Sequence, residues 1–258
     1  MAKISDTSDE LREKRLVDWY ASPQGEKTLA LLREVLAELL STRFGYLGIQ
    51  VGGGAINPSL AELSRVREHV LVSTLPDRGD IRASPLALPV ASECADLLLL
   101  LHTVENASDP YQVLRELERV LVPEGDAVMV SFNPWSIWGM SSWFVGRLRG
   151  DVYAPWQGRF YTQRRLKDWF RLLGFELVTV RRFGFRSPSW HGWFEHRCAW
   201  MEKVGPRWFP ALGGVQIIIA RKRRTRLTLI KSRWRPLSVR VGGRVAGAAS
   251  RSVLRVED

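Results

Sequence analysis

Two stretches of the chain hold residue types that could do chemistry. The apolar segment Tyr46 to Val51 runs into Gly52-Gly53-Gly54, and glycines let backbone approach a ligand more closely than residues with side chains do. The same triplet also suits a plain tight turn, so it points to a ligand only in company with other signals. The second stretch places His102 and Glu105 directly after the leucine run Leu97 to Leu101. An imidazole and a carboxylate can take up a proton from a hydroxyl or protonated amine that must become a nucleophile. The plainer reading is that His102 packs or caps a strand while Glu105 bonds nearby backbone. A third group, His191, Glu195, His196 and Cys198, does not form a metal site, because its two histidines are off one helical face and lack a second pair. No metal is expected. Cys94 and Cys198 are the only cysteines, too few for a disulfide framework and outside any nucleophile motif.

Elements of alternating type must position these residues, the pattern of an α/β domain. Ser22 and Pro23 open an amphipathic helix with Leu29, Leu32, Leu36 and Leu39 on one face. After the glycine turn, Asn57 and Pro58 read as the cap of a second helix carrying Leu60, Leu63 and Val66. His69 to Ser73 and Asp80 to Ala83 read as short strands, and Leu97 to Leu101 as a strand buried on both faces. Ser108, Asp109 and Pro110 begin a helix with Val113, Leu114, Leu117, Val120 and Leu121, followed by a strand from Ala127 to Phe132. Thr162 caps a helix that Gly174 ends, and Phe175 to Val180 and Val215 to Ala220 complete about seven strands.

The stretch LALPVASECADLLLLLHTVENASDPYQVLRELERVLVPEGDAVMVSFNP, residues 86–134, resembles the central block of class I S-adenosylmethionine-dependent methyltransferases of the type 11 group. The resemblance rests on Leu88-Pro89, Asp96, Glu105, Asp109-Pro110, Leu114-Arg115-Glu116, and Arg119-Val120-Leu121 with Pro123 and Gly125. It covers about residues 40–181, since GRFYTQRRLKDWFRLLGFELVTV is similar to the helix and strand that follow in that family. It implies a three-layer Rossmann-like, seven-stranded and mostly parallel sheet with one antiparallel strand. The cofactor is then S-adenosylmethionine, bound above the carboxyl ends of the first four strands. A helix N-terminus near Asn57 would favour the methionine carboxylate.

Carried onto this sequence, the cofactor contacts fall on Gln50, Gly52, Gly54, Ser73, Ser84 and His102, with His102 and Glu105 as the catalytic candidates. Three acids of the family pattern are replaced together. Gln50 stands before the glycine turn, Ser73-Thr74 at the end of strand two and Ser84 beside the adenine. A carboxylate holds a ribose diol more strongly than a neutral acceptor does, so the affinity is either reduced or met by other groups. Gln50 retains a carbonyl for the cofactor's ammonium, and Ser84 a hydroxyl for the adenine amine.

Two segments are long and rich in tryptophan, residues 132–146 and 182–214. The first follows strand five, where an open parallel sheet presents its ligand crevice. Asn133, Trp135 and Trp138 are its substrate-binding candidates, suited to a flat or apolar small molecule or lipid such as a quinone; the competing reading is that the tryptophans fill a core. Residues 221–258 carry twelve basic residues against two acidic ones, a net of +10 in a chain of net +11. They form a basic tail suited to weak contact with an anionic membrane or nucleic acid. The expected organisation is an N-terminal extension (1–21), the methyltransferase-like domain (22–224) and the tail (225–258). No apolar run approaches the roughly 20 residues of a membrane span, and no secretory signal opens the chain, so a cytoplasmic protein is expected. The alternative to an enzyme is an inactive methyltransferase-like binding protein that uses its tail to engage RNA, membrane or a partner.

Overall fold

The computed structural model describes residues 2–54, 56, 58–136, 139, 159–185, 204–205 and 207–223. Trp138, the His191 to Cys198 group and most of the tail lie outside the described residues. Seven strands, β1 (Phe44–Val51), β2 (Arg65–Ser73), β3 (Ile81–Arg82), β4 (Ala95–Leu101), β5 (Leu121–Phe132), β6 (Phe175–Phe183) and β7 (Val215–Lys222), form one sheet. Its order is β3-β2-β1-β4-β5-β7-β6. β1 to β5 are mutually parallel, while β7 runs antiparallel to both neighbours, β5 and β6. This is the Rossmann-like sheet expected of the family, including its single reversed strand.

The all-leucine β4 divides the core. Leu97, Leu99 and Leu101 face a layer made by α1 (Ala2–Tyr20) and α2 (Pro23–Leu40), where Leu32, Leu36 and Leu40 are fully buried. Leu98 and Leu100 face the opposite layer, with Val113 and Leu117 of α4 (Pro110–Val120) and Phe170 of α5 (Gln163–Leu172). Side chains of a strand alternate between faces, so a strand covered on both sides has no polar position to alternate with. Each such leucine contributes about 1.5–3 kcal/mol by leaving water.

The helices begin where their caps place them. Ser22 Oγ accepts from Gly25 N–H ahead of α2, and Asp109 accepts from the N–H groups of Tyr111 and Gln112 ahead of α4. A single turn, α3 (Thr103–Asn106), follows β4. Residues 1–21, expected as an extension, belong to the same compact unit as the sheet, which spans Met1–Thr225, and Leu16 and Tyr20 are part of its core.

The expected helix after Asn57 is replaced by one 3-10 turn, Leu60–Leu63, and β2 already begins at Arg65. Ser59 and Glu62 close a capping box over that turn, and Val66, expected on the helix, pairs with Gly45 of β1. β5 likewise starts earlier than expected, at Leu121, with an irregularity between its pairings to Ala95 and Leu97. No helix among the described residues is long and apolar enough to cross a membrane.

The corner between α1 and α2 leaves no room for a side chain at Gly25, where a Cβ would lie 2.0 Å from the Trp19 carbonyl oxygen and 2.5 Å from Tyr20 Cα. Gly25→Ala is therefore expected to cost ~2 kcal/mol or more in urea unfolding, by forcing α1 off α2. Gly174→Ala, where φ is +79° but nothing lies within 4 Å, is expected to cost only about 1 kcal/mol.

Candidate active site

The carboxyl ends of β1, β2 and β4 open into a half-open cleft. Val51, Gly52, Thr74 and the segment Leu101 to Thr103 line it from the sheet, while Ala83 and Pro85 line it after β3. Asp9, Glu13 and Leu16 of α1 roof it.

Gly52 has φ +87°, and a Cβ there would come within 2.8 Å of the Leu101 carbonyl oxygen and 2.9 Å of Thr103 Oγ1. The glycine turn thus lets β1 and β4 approach at their ends, where Thr103 Oγ1 donates to the Val51 carbonyl at 2.7 Å. A Cβ on Gly54 would lie 2.1 Å from Ser73 Oγ. Between these last two residues enters the carboxylate of Glu13. It accepts from Gly54 N–H at 3.2 Å, Ser73 Oγ at 2.8 Å, Thr74 N–H at 2.9 Å and Thr74 Oγ1. One turn earlier, Asp9 accepts from the N–H and hydroxyl of Ser108 at 3.2 and 3.0 Å.

His102 is wholly buried at the cleft, in the left-handed region with φ +53°. Its Nε2 lies 2.7 Å from the Tyr20 hydroxyl, and its Nδ1 bonds Glu105 Oε1. Phe132 stacks on the ring at 3.9 Å between centroids, and its N–H donates to Glu105 Oε2 at 3.0 Å. Burial, with Glu105 adding its charge, pushes the Tyr20 phenol well above its ordinary value, so it stays protonated. In the tautomer that donates Nδ1–H to Glu105, Nε2 accepts from the Tyr20 hydroxyl.

The structure brings Gly52, His102 and Thr103 to the cleft, with Gly54 and Ser73 holding its roof through Glu13. Gln50 is fully buried, and its amide serves the turn itself. Its Oε1 accepts from Ser59 Oγ at 2.8 Å and Leu60 N–H at 2.7 Å, and its Nε2 donates to the Gly52 carbonyl at 3.1 Å. The donor that a helix start would have offered an anion is thereby used by Gln50. Ser84 lies between the lining residues Ala83 and Pro85, its hydroxyl 3.4 Å from Leu86 N. Asn133 is buried, its amide donating to the carbonyls of Ala211 at 2.7 Å and Gly213 at 2.9 Å, whereas Trp135 is 65% exposed. Sequence reasoning missed Asp9, Glu13 and Tyr20. Their signal was the 4-3-4 spacing of Asp9, Glu13, Leu16 and Tyr20, one face of a helix.

A methyltransferase domain family matches residues 43–129. The Escherichia coli protein YafS is 33% identical over 211 residues, covering 82% of each chain. The UbiE ubiquinone/menaquinone biosynthesis C-methyltransferase of Cereibacter sphaeroides is 26% identical over 198 residues, covering 69% of this chain and 78% of its own. Among solved structures, geranyl diphosphate C-methyltransferase from Streptomyces coelicolor A3(2) shares the fold, with a TM-score of 0.52 at 12% identity over 76% of this chain and 80% of that one. The chain belongs to the class I S-adenosylmethionine-dependent methyltransferases, in the type 11 group. It is an enzyme that uses S-adenosylmethionine and a methyl acceptor. The cleft suits that cofactor chemically: the ligand carries net positive charge, and two carboxylates of α1 line the site.

The Tyr20 hydrogen bond has a pH signature. A phenol raised in the folded state holds its proton to higher pH than the unfolded chain, whose value is near 10.0. Its contribution to stability is therefore full below that pH and declines as pH rises toward the folded value. Tyr20→Phe is expected to cost about 1–3 kcal/mol at pH 8 by leaving Nε2 unpaired. The gap between wild type and variant, from urea unfolding, is expected to narrow above pH 10.

Proposed function

We propose that the acceptor is an apolar, ring-bearing molecule such as a quinol or another prenylated ring, methylated at carbon. The observation that carries this reading lies at the end of β5. Asn133 ties the Trp135 turn to the turn ending at Gly213, and Trp135, Trp208 and Phe209 are 65%, 71% and 56% exposed on the joined segments. Exposed aromatics on segments joined at the carboxyl end of β5, where an open sheet presents its ligand crevice, support an apolar, ring-bearing acceptor. Trp138, in the same turn by sequence, is proposed to add to this surface. The name of the Cereibacter relative agrees with the reading.

Bound S-adenosylmethionine supplies a methyl group on a sulfonium, and the carbon–sulfur electron pair leaves with sulfur. The chain has to align the acceptor, exclude water and receive a proton. Loss of the hydroxyl proton makes the ring carbon of a quinol nucleophilic; after that carbon takes the methyl group its own proton leaves and the oxygen is reprotonated, so one proton is released overall. In this proposal His102 Nε2 receives the hydroxyl proton after Tyr20 yields the position, and Glu105 stabilises the resulting imidazolium through Nδ1–H. Gly52, Gly54 and Ser73 shape the cofactor side, Gln50 holds the turn, and Ser84 lies beside the adenine position. Arg221, Lys222 and Arg223 are paired with acids of the domain, so it is the basic residues of 224–258 that would draw the protein to an anionic membrane surface, where such acceptors dissolve.

Purified protein incubated with S-adenosylmethionine and a demethylated prenyl-naphthoquinol is expected to yield the C-methylated product by mass spectrometry. Transfer only to water-soluble amines would overturn the reading. Cofactor at 100 times its dissociation constant is expected to raise the unfolding midpoint by roughly 5–10 °C. Trp135→Ala is expected to raise KM for the prenylated acceptor about fivefold. His102→Gln is expected to lower kcat by about 10² or more with a smaller change in cofactor affinity.

A further inference from the structure

The tip of β2 lacks the acid that the family pattern puts there, yet a carboxylate is found at that point of the structure. It comes from Glu13, 60 residues earlier in the chain. Four donors surround it: two backbone N–H groups, of Gly54 and Thr74, and two hydroxyls, of Ser73 and Thr74. Glu13 is 7% exposed, and with Asp9 and Leu16 it roofs the cleft that Thr74 and Gly52 line. An acid at 73 or 74 would repel this carboxylate. A serine and a threonine hold it.

We propose that Glu13 is the acceptor for the ribose diol of S-adenosylmethionine, supplied by α1 in place of the acid that β2 lacks. The proposal rests on that cofactor assignment. Both hydroxyl donors can rotate, whereas the two N–H groups cannot. On binding, the two ribose hydroxyls take the places of the Ser73 and Thr74 hydroxyls on the carboxylate, and the backbone donors keep it in position. The released side-chain hydroxyls can donate in turn to ribose oxygens, so no polar group is stranded. The number of hydrogen bonds to Glu13 stays the same, and each remains charge-assisted. The bare Cα of Gly54 is what allows its N–H to reach this carboxylate, since a side chain there would strike Ser73.

Calorimetric titration of the full chain tests this with three probes: S-adenosylhomocysteine, adenosine and 2′,3′-dideoxyadenosine, which lacks the diol. Glu13→Gln is expected to weaken S-adenosylhomocysteine and adenosine roughly tenfold and to leave dideoxyadenosine unchanged. Glu13→Asp, which keeps the charge, is expected to restore part of the preference for adenosine over dideoxyadenosine. That preference is a ratio within each variant, so a general loosening of α1 cancels from it. Equal or tighter binding of S-adenosylhomocysteine by Glu13→Gln overturns the proposal and makes Glu13 a plug of the ligand-free site. Equal weakening of adenosine and dideoxyadenosine overturns it in favour of a purely structural carboxylate. Failure of wild type to bind S-adenosylhomocysteine overturns the cofactor assignment itself, an outcome distinct from both.

Discussion

At the carboxyl edge of a parallel sheet the strands end with backbone donors facing a crevice, and something must accept from them. In this protein a carboxylate does so for the tips of β1 and β2, and it belongs to a helix rather than to either strand. An ionised acceptor among four donors is stronger than a neutral one in the same place, and leaving buried donors unpaired would cost about 1–3 kcal/mol each. The seating of α1 follows from this. Glu13 fixes the helix over β2, Asp9 fixes it to Ser108 ahead of α4, and Tyr20 fixes it to His102 at the end of β4. The roof of the cleft is therefore held at three points along one helical face, each a hydrogen bond to a different part of the sheet edge.

The opposite edge of the same strands is organised by a different ion cluster. Asp126, at the first regular pairing of β5 with β4, is bound by Arg43 at 2.7 Å ahead of β1 and by Arg221 at 2.9 Å from β7. Here the charges join β5 directly to the approach to β1 and to β7. Two clusters of charge thus bracket an interior in which β4 is entirely leucine between Leu97 and Leu101. The apolar layers supply most of the stability, while the polar edges decide which end can receive a ligand.

Much of this was legible in the sequence because it depends on local pattern. A five-leucine run between turn signals reads as a doubly covered strand, Asp109-Pro110 as a helix start, and Gly174 as a helix stop, and each is found there. The order of motifs between residues 86 and 134 carried the fold class. The helix expected after Asn57 failed because the apolar spacing of Leu60, Leu63 and Val66 fits both a helix and the approach to a strand, and tertiary pairing of Arg65 and Val66 with β1 decided for the strand. The motif position of Gln50 points to a ligand, whereas its partners Ser59 and Leu60 emerge only in the folded turn. Residues 1–21 carry no apolar run or motif of their own and so are expected as an extension, whereas α1 sets Asp9 and Glu13 on one buried face. Only the fold reveals that this face lies against Ser73, Thr74 and Ser108.

The replaced acids take on a different meaning once α1 is in place. Considered one position at a time, Gln50 and Ser73-Thr74 are losses of charge from a site that needs it. Considered with their contacts, Gln50 exchanges a ligand contact for control of the turn, and Ser73-Thr74 become donors to a carboxylate brought from elsewhere. Two carboxylates, Asp9 and Glu13, return negative charge to a cleft whose family pattern places three, and their origin in the chain is α1. A consequence is that the site depends on the N-terminal helix being seated, which a carboxylate carried by β2 itself would not require. Cofactor binding and the seating of α1 then become linked: a ligand that engages the roof stabilises the helix, and a substitution that leaves the helix seated only part of the time lowers the apparent affinity by that fraction.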